Sequence, residues 1–240
     1  MKVRRRAMTA IFKREFKAYF QTPIGYIVLM AFYLLFGIVF WLMYNTGSPN
    51  TADFMTVFLA IILILTPIIT MRLMSDERRQ KTDQVLLTSP IKLSSIVLGK
   101  FSAAMALYAL GFIPMIIYEI IVAAYVSVNL FAFIYLFLGF MLLGASLISL
   151  GMLISSFTES TAISALLNYG VNVLLILLMI ILQFINTSWF TTVLEKIAFV
   201  PAITSFSETM FSIPDVIYYL SITAAFLFLC VRSLEKRRWA

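Results

Sequence analysis

Residues 24–44 read IGYIVLMAFYLLFGIVFWLMY, 21 consecutive residues without a charge. Crossing about 30 Å of hydrocarbon takes about 20 apolar residues in a helix, so this run is a full-length span. The pattern recurs on moving outward from it. Phe54–Met71 is fenced by Asp53 and Arg72, and Phe101–Ala124 is interrupted only by Glu119. From Ile120 to Thr158 there is no charge at all, which is too long for one helix. Ser127 and Asn129 supply the polar break, and Leu130–Ser155 becomes a fourth span. Thr161–Phe184 and Ile217–Val231 follow, the last extended to Asp215 at the interface. The reading is one all-α integral membrane domain over residues 1–240, with spans at about 24–44, 54–71, 101–124, 130–155, 161–184 and 215–231.

Composition agrees. The chain is 62% hydrophobic and 12% charged, against about a quarter charged in soluble domains, so the bilayer is its solvent. The net charge of +7 lies between the apolar runs rather than along a polar face, which suits an anionic membrane surface and argues against nucleic acid. A single cysteine, Cys230, cannot close an internal disulfide. With no histidine, the commonest metal ligand and general base is absent, which argues against a metalloenzyme or hydrolase. The basic opening Met1–Arg6 resembles a signal-peptide n-region, but no small-residue cleavage site follows the first span, so the segment is expected to be retained.

Cytoplasmic loops carry the Lys/Arg excess. With both termini in the cytoplasm, residues 1–23 carry seven basic residues, 72–100 six, 156–160 none and 232–240 four, which is 17 of 18. Only Lys196 falls outside. The expected location is the plasma membrane, multi-pass, with both termini inside.

Three segments are not spans. In residues 7–20, Met8, Phe12, Phe16, Tyr19 and Phe20 recur at helical spacing away from Lys13, Arg14 and Lys17, with Pro23 closing the run, which predicts a helix in the interface plane. Residues 72–100 form a cytoplasmic loop with Asp76, Glu77, Arg78, Arg79, Lys81 and Asp83, then Val85, Leu86 and Leu87, then Ser89-Pro90. A charged helical turn followed by an apolar patch suits docking onto a soluble partner, though a solvated loop helix would read the same way. Residues 185–214, with Trp189, Phe190, Phe199, Phe206 and Phe211, are too aromatic for an open loop and are expected at the outer interface.

At this point the residues resemble a known family, the ABC-2 type permeases of ABC transporters, and most closely the gliding-motility-like branch. The resemblance is carried by Phe16 through Tyr26, by Asp76-Glu77-Arg78-Arg79 through Leu86-Leu87-Thr88-Ser89-Pro90, by Ile96 through Phe101, and by Pro214 through Tyr219. It implies an interfacial connecting helix, a coupling helix between spans two and three seated on ABC-type ATPase subunits, and outer re-entrant helices before span six. It also implies a second permease half, identical or paralogous. Asp76, Glu77, Arg78, Arg79, Asp83, Leu86 and Leu87 then become the docking set. Where relatives usually have Gly-Thr and an acidic residue, this chain reads Lys81-Thr82-Asp83-Gln84.

Gly99-Lys100 resembles the tail of a phosphate-binding loop, but Ser94 stands at the first glycine and Phe101 where Ser or Thr should follow, so no cradle forms. The chain is therefore expected to bind no cofactor and to be no enzyme, with ATP and Mg on the partner ATPase. Ser164, Asn168 and Asn172 fall at i, i+4 and i+8 and Gln183 returns to a similar face. This stripe either bonds neighbouring helices or lines a substrate route. Glu119, with 18 residues between it and Lys100, is expected near the outer surface, snorkelling or partnered, with an intramembrane relay the lesser reading. Gly144, Ala145, Ser149, Gly151 and Ser155 form small faces for helix packing, and Pro67 and Pro114 are candidate hinges or kinks. Asn186-Thr187-Ser188 matches a glycosylation acceptor of low specificity. The function expected is exporter-type transport by a dimeric pore, with residues 185–214 a surface for an extracytoplasmic accessory protein. A non-transport scaffold or assembly subunit and an uncoupled channel are the alternatives, and the substrate is not legible.

Overall fold

The computed structural model describes residues 2–47, 54–81, 92–125, 129–184 and 213–238. Among the described residues there are nine helices: α1 (Lys2–Gln21), α2 (Pro23–Thr46), α3 (Met55–Thr70), α4 (Ser75–Arg79), α5 (Leu93–Gly111), α6 (Ile113–Ala123), α7 (Leu130–Phe157), α8 (Thr161–Phe184) and α9 (Ile213–Arg238). Together they supply the six segments long and apolar enough to cross a membrane that the sequence leads one to expect. Asp83, Leu86, Leu87, Ser127 and the outer segment from 185 to 212 lie outside the described residues.

Local chemistry sets several boundaries. Thr22 is extended (φ −106°, ψ 153°), and Pro23 then takes the first turn of α2, where its missing N–H costs nothing. Gly47 ends that helix in the left-handed region (φ 65°). Asn129 caps α7, its Oδ1 accepting from the Ala132 N–H at 3.3 Å. Only residues 158–160 separate α7 from α8, so the two run as adjacent spans.

The third span differs from its expected form in two ways. It begins at Leu93 rather than Phe101, so the charged loop is shorter than 72–100, and it is divided into α5 and α6 at Phe112. The first difference arises because Lys100 is neutralised within the protein, as described below, and does not need the aqueous boundary. The second follows from Pro114, which cannot donate to the Leu110 carbonyl four residues before it.

α7 packs against α9, α3 and α5, and α1 packs along α5. At the centre lie Phe32 and Phe36 of α2, Phe58 of α3, Tyr108 of α5, Phe112 between α5 and α6, and Phe140 of α7. Their ring centroids stand 4.9–6.0 Å apart in edge and tilted pairs, and the Tyr108 hydroxyl donates to the Phe140 carbonyl at 2.9 Å. Lipid is as apolar as these rings, so their stabilisation comes from close packing rather than from escape from water. Gly144 permits that packing, since a Cβ there would overlap the Tyr108 ring. The outward faces carry Tyr26, Met30, Trp41, Ile120, Phe131 and Leu166, all exposed as lipid-facing side chains are.

Candidate functional site

Where α3 ends and the chain turns into α4, four charged side chains meet. Lys100 is 1% exposed. Its Nζ donates to the Leu73 carbonyl at 2.8 Å and lies 3.0 Å from Glu77 Oε1 and 3.4 Å from Glu15 Oε1. Arg14 closes the cluster, with Nη2 at 2.6 Å from Glu15 and 2.8 Å from Glu77. Two cations facing two carboxylates make a neutral group, which is what allows a lysine inside the protein. An unpaired charge there would cost several kcal/mol, about 3–5 on loss of one partner of a fully buried pair. Partial burial works against the charge on Arg14, but hydrogen bonding and attraction to Glu15, and then to Glu77, outweigh it and hold the guanidinium above its ordinary range. The Tyr19 hydroxyl, bonded to the Ile69 carbonyl at 2.9 Å, fastens the other end of α1 to α3, and burial pushes its phenol upward.

α4 itself begins on Met74, which offers no capping side chain. The cap comes from α7 instead. Ser155 Oγ accepts from the Met74 and Ser75 N–H groups, each at 3.1 Å, and donates to the Met71 carbonyl at 3.2 Å. Arg78 ties α4 to the turn between α7 and α8, donating to the Phe157 carbonyl at 2.7 Å and pairing with Glu159 at 2.9 Å. Asp76 pairs with Arg72 at 3.5 Å. Of the described docking residues, Asp76, Glu77 and Arg78 are thus occupied within the chain, while Arg79 is exposed beside exposed Gln80 and Lys81. Lys81 has φ 56°, the one positive φ on a non-glycine among the described residues. That conformation suits glycine, which has no Cβ to crowd the backbone.

The polar stripe of α8 turns inward, with Ser164 0%, Asn168 3% and Asn172 5% exposed. Asn172 Nδ2 donates to the Leu63 carbonyl at 2.7 Å. Leu63 is the residue whose helical partner would be the N–H of residue 67, and Pro67 has none. Asn172 therefore satisfies the acceptor that the proline orphans. The second proline repeats the arrangement: the Tyr33 hydroxyl donates at 3.3 Å to the carbonyl of Leu110, four residues before Pro114. Proline is tolerated in membrane helices where a neighbouring side chain makes such a repair. Asn168 Nδ2 donates to the Ser164 carbonyl at 2.8 Å on its own helix. Ser164 Oγ is buried with no hydrogen-bond partner among the described residues. The side chain of Gln183 lies outside the described residues.

Glu119 overturns its expectation. It does not snorkel and has no partner among the described residues: it is 2% exposed, and neither carboxylate oxygen makes a hydrogen bond to them. The physical reason is its place on α6, which sets it between the aromatic layer of α2 and α3 and the start of α7.

Sequence reasoning passed over Glu15, read Lys100 only as part of a failed phosphate-loop match, and read Ser155 only as a small packing residue. Glu15 had a signal, being the only acidic residue in the first 52, and Lys100 had one in standing at the end of an otherwise uncharged run from Leu93. Ser155 had none, because nothing local marks a serine that caps a helix 80 residues away. Residues 42–233 match the family described as an ABC-2 family transporter protein. No curated protein matches the chain.

Proposed function

Because the chain belongs to the ABC-2 transporter family, we propose that it is one permease half of a dimeric, exporter-type pore, driven by an ABC-type ATPase on a separate chain. Membrane subunits of this family lack ATPase activity, so ATP and Mg are held by the partner. Both termini and α4 face the cytoplasm, in keeping with the placement of the basic residues. The partner docks on the exposed end of α4, at Arg79, Gln80 and Lys81, and on Asp83, Leu86 and Leu87 beyond it.

The observation that carries this reading is the fastening of α4 on three sides. Glu77 joins it to Lys100 of α5 and Arg14 of α1, Ser155 caps it from α7, and Arg78 holds the turn before α8. A push on the exposed end is therefore delivered to four longer helices rather than absorbed by a loose loop. One turn before the end of α3, Pro67 is the candidate hinge, and Asn172 satisfies the carbonyl that it orphans. Pro114 lets the outer half of span three move apart from the inner half. Ser164 and Asn168 are the candidates for the route at the dimer centre, with Gln183 further along the same helix, while Asn172 is committed to Leu63. α1 lies in the interface plane, and an extracytoplasmic accessory protein would bind through residues 185–214.

The test is recovery of the partner after mild-detergent purification. The native chain brings down a stoichiometric Walker-type ATPase, and Arg79→Glu reduces that recovery at least several-fold without lowering the thermal midpoint of the chain. Undiminished recovery with Arg79→Glu removes docking from this end of α4.

A further inference from the structure

Glu119 forms part of the wall of a cleft of about 480 Å³ between the outer end of α6 and the start of α7. The cleft is otherwise apolar, with Ile116, Ala123, Phe133 and Ile134 among its walls. Ile120, Leu130 and Ile134 are 65%, 55% and 61% exposed, so the cleft opens sideways on the face that meets lipid. Behind the carboxylate is a small void bounded by Phe36, Phe40, Phe58 and Tyr118, in which the Phe40 and Tyr118 rings stack at 4.4 Å.

A carboxylate in such surroundings, with neither oxygen partnered among the described residues, is costly as an anion, and either a proton or an approaching cation offsets that cost. The chemistry of the walls selects which cation. A bare metal ion needs several oxygen ligands, and Glu119 is the only carboxylate in either wall. An anionic or neutral amphiphile would leave the carboxylate uncompensated. An organic ammonium with an apolar body fits each part: its head pairs with Glu119 once the carboxylate, now covered, turns into the cleft, the Phe133 ring of the wall attracts the same charge, and its body fills the apolar cleft in place of lipid. Entry is from the outer leaflet, because Glu119 lies 19 positions beyond Lys100, about 28 Å along the helix axis at 1.5 Å per residue.

We propose that this lateral cleft is a binding site for hydrophobic organic ammonium ions, with Glu119 as its anionic anchor. The site shares with the transport reading only the placement and orientation of the chain in a bilayer. Its test contains no ATPase and no nucleotide, so failure of either leaves the other standing.

The experiment is equilibrium binding of radiolabelled dodecylammonium to the full chain in phosphatidylcholine nanodiscs, against empty nanodiscs to remove partitioning into lipid. The native chain gives a saturable component of one site per chain. Unlabelled dodecylammonium displaces it, whereas dodecanol, with the same body and no charge, does not. Glu119→Gln, isosteric with the protonated acid, weakens binding about ten-fold or more, the scale of a lost charge-assisted contact. Ala123→Phe, which fills the cleft and leaves the carboxylate in place, weakens it similarly. Absence of a saturable component, equal displacement by dodecanol, or native affinity in Glu119→Gln overturns the proposal. If Glu119→Gln does not fold, the displacement series on the native chain and the Ala123→Phe variant decide it.

Discussion

Removing the Asn172 side chain should destabilise the protein only because residue 67 is a proline. In Asn172→Ala the Leu63 carbonyl loses the donor at 2.7 Å and has no helical N–H to fall back on. The site is buried, Asn172 being 5% exposed, and no water replaces the donor. Leaving a buried acceptor unsatisfied costs about 1–3 kcal/mol, whereas an ordinary interhelical hydrogen bond in a membrane protein contributes on average about 0.6 kcal/mol. Pro67→Ala restores the N–H, so in that background Asn172→Ala should cost only about the smaller figure. The two substitutions are then coupled by about 1 kcal/mol or more, measurable as a double-mutant cycle. The assay is equilibrium unfolding of the four chains in mixed micelles, followed by circular dichroism. An equal cost of Asn172→Ala in both backgrounds would refute the repair of Pro67 by Asn172 and return Asn172 to the candidates for a substrate route.

Lys100→Met should lower stability by about 1–3 kcal/mol, below the range for a fully buried pair because Glu15 and Glu77 keep 17% and 19% side-chain exposure and Arg14 remains. A smaller loss in the Lys100→Met, Glu77→Gln double variant than the two single losses summed would show that the side chains act together, measured by the same unfolding assay. Lys81→Gly relieves a left-handed backbone on a non-glycine residue and should stabilise the α4 end by about 1 kcal/mol. Hydrogen exchange at the Lys81 and Gln80 amides would register it as slower opening.

The spans were legible because the requirement they answer is crude: about 20 apolar residues without a charge, which residues 24–44 meet with nothing to interpret. The break at Asn129 was legible for the same reason, since in a run without charges one polar residue stands out. The start of the third span was not, because Lys100 looks like a boundary residue until Glu15 and Glu77 are seen beside it, and those carboxylates are 85 and 23 positions away in sequence. The α8 stripe was visible as a periodicity, but its direction is a tertiary fact. Only the position of Leu63, four residues before Pro67 and across from Asn172, tells what that amide does. Distance arithmetic placed Glu119 toward the end of its span, but it could not say that α6 turns the residue inward between the aromatic layer of α2 and α3 and the start of α7.

The placement of α4 on the cytoplasmic side underlies the docking, the push and the orientation of the cleft together. It is tested by labelling single cysteines with a membrane-impermeant maleimide on intact cells, in a chain whose native Cys230, buried within α9, is replaced by alanine. Lys81→Cys should stay unlabelled until the cells are opened, while Tyr125→Cys, at the other end of the third span and 86% exposed, should label at once. Labelling of Lys81→Cys from outside intact cells, with Tyr125→Cys protected, would contradict the account.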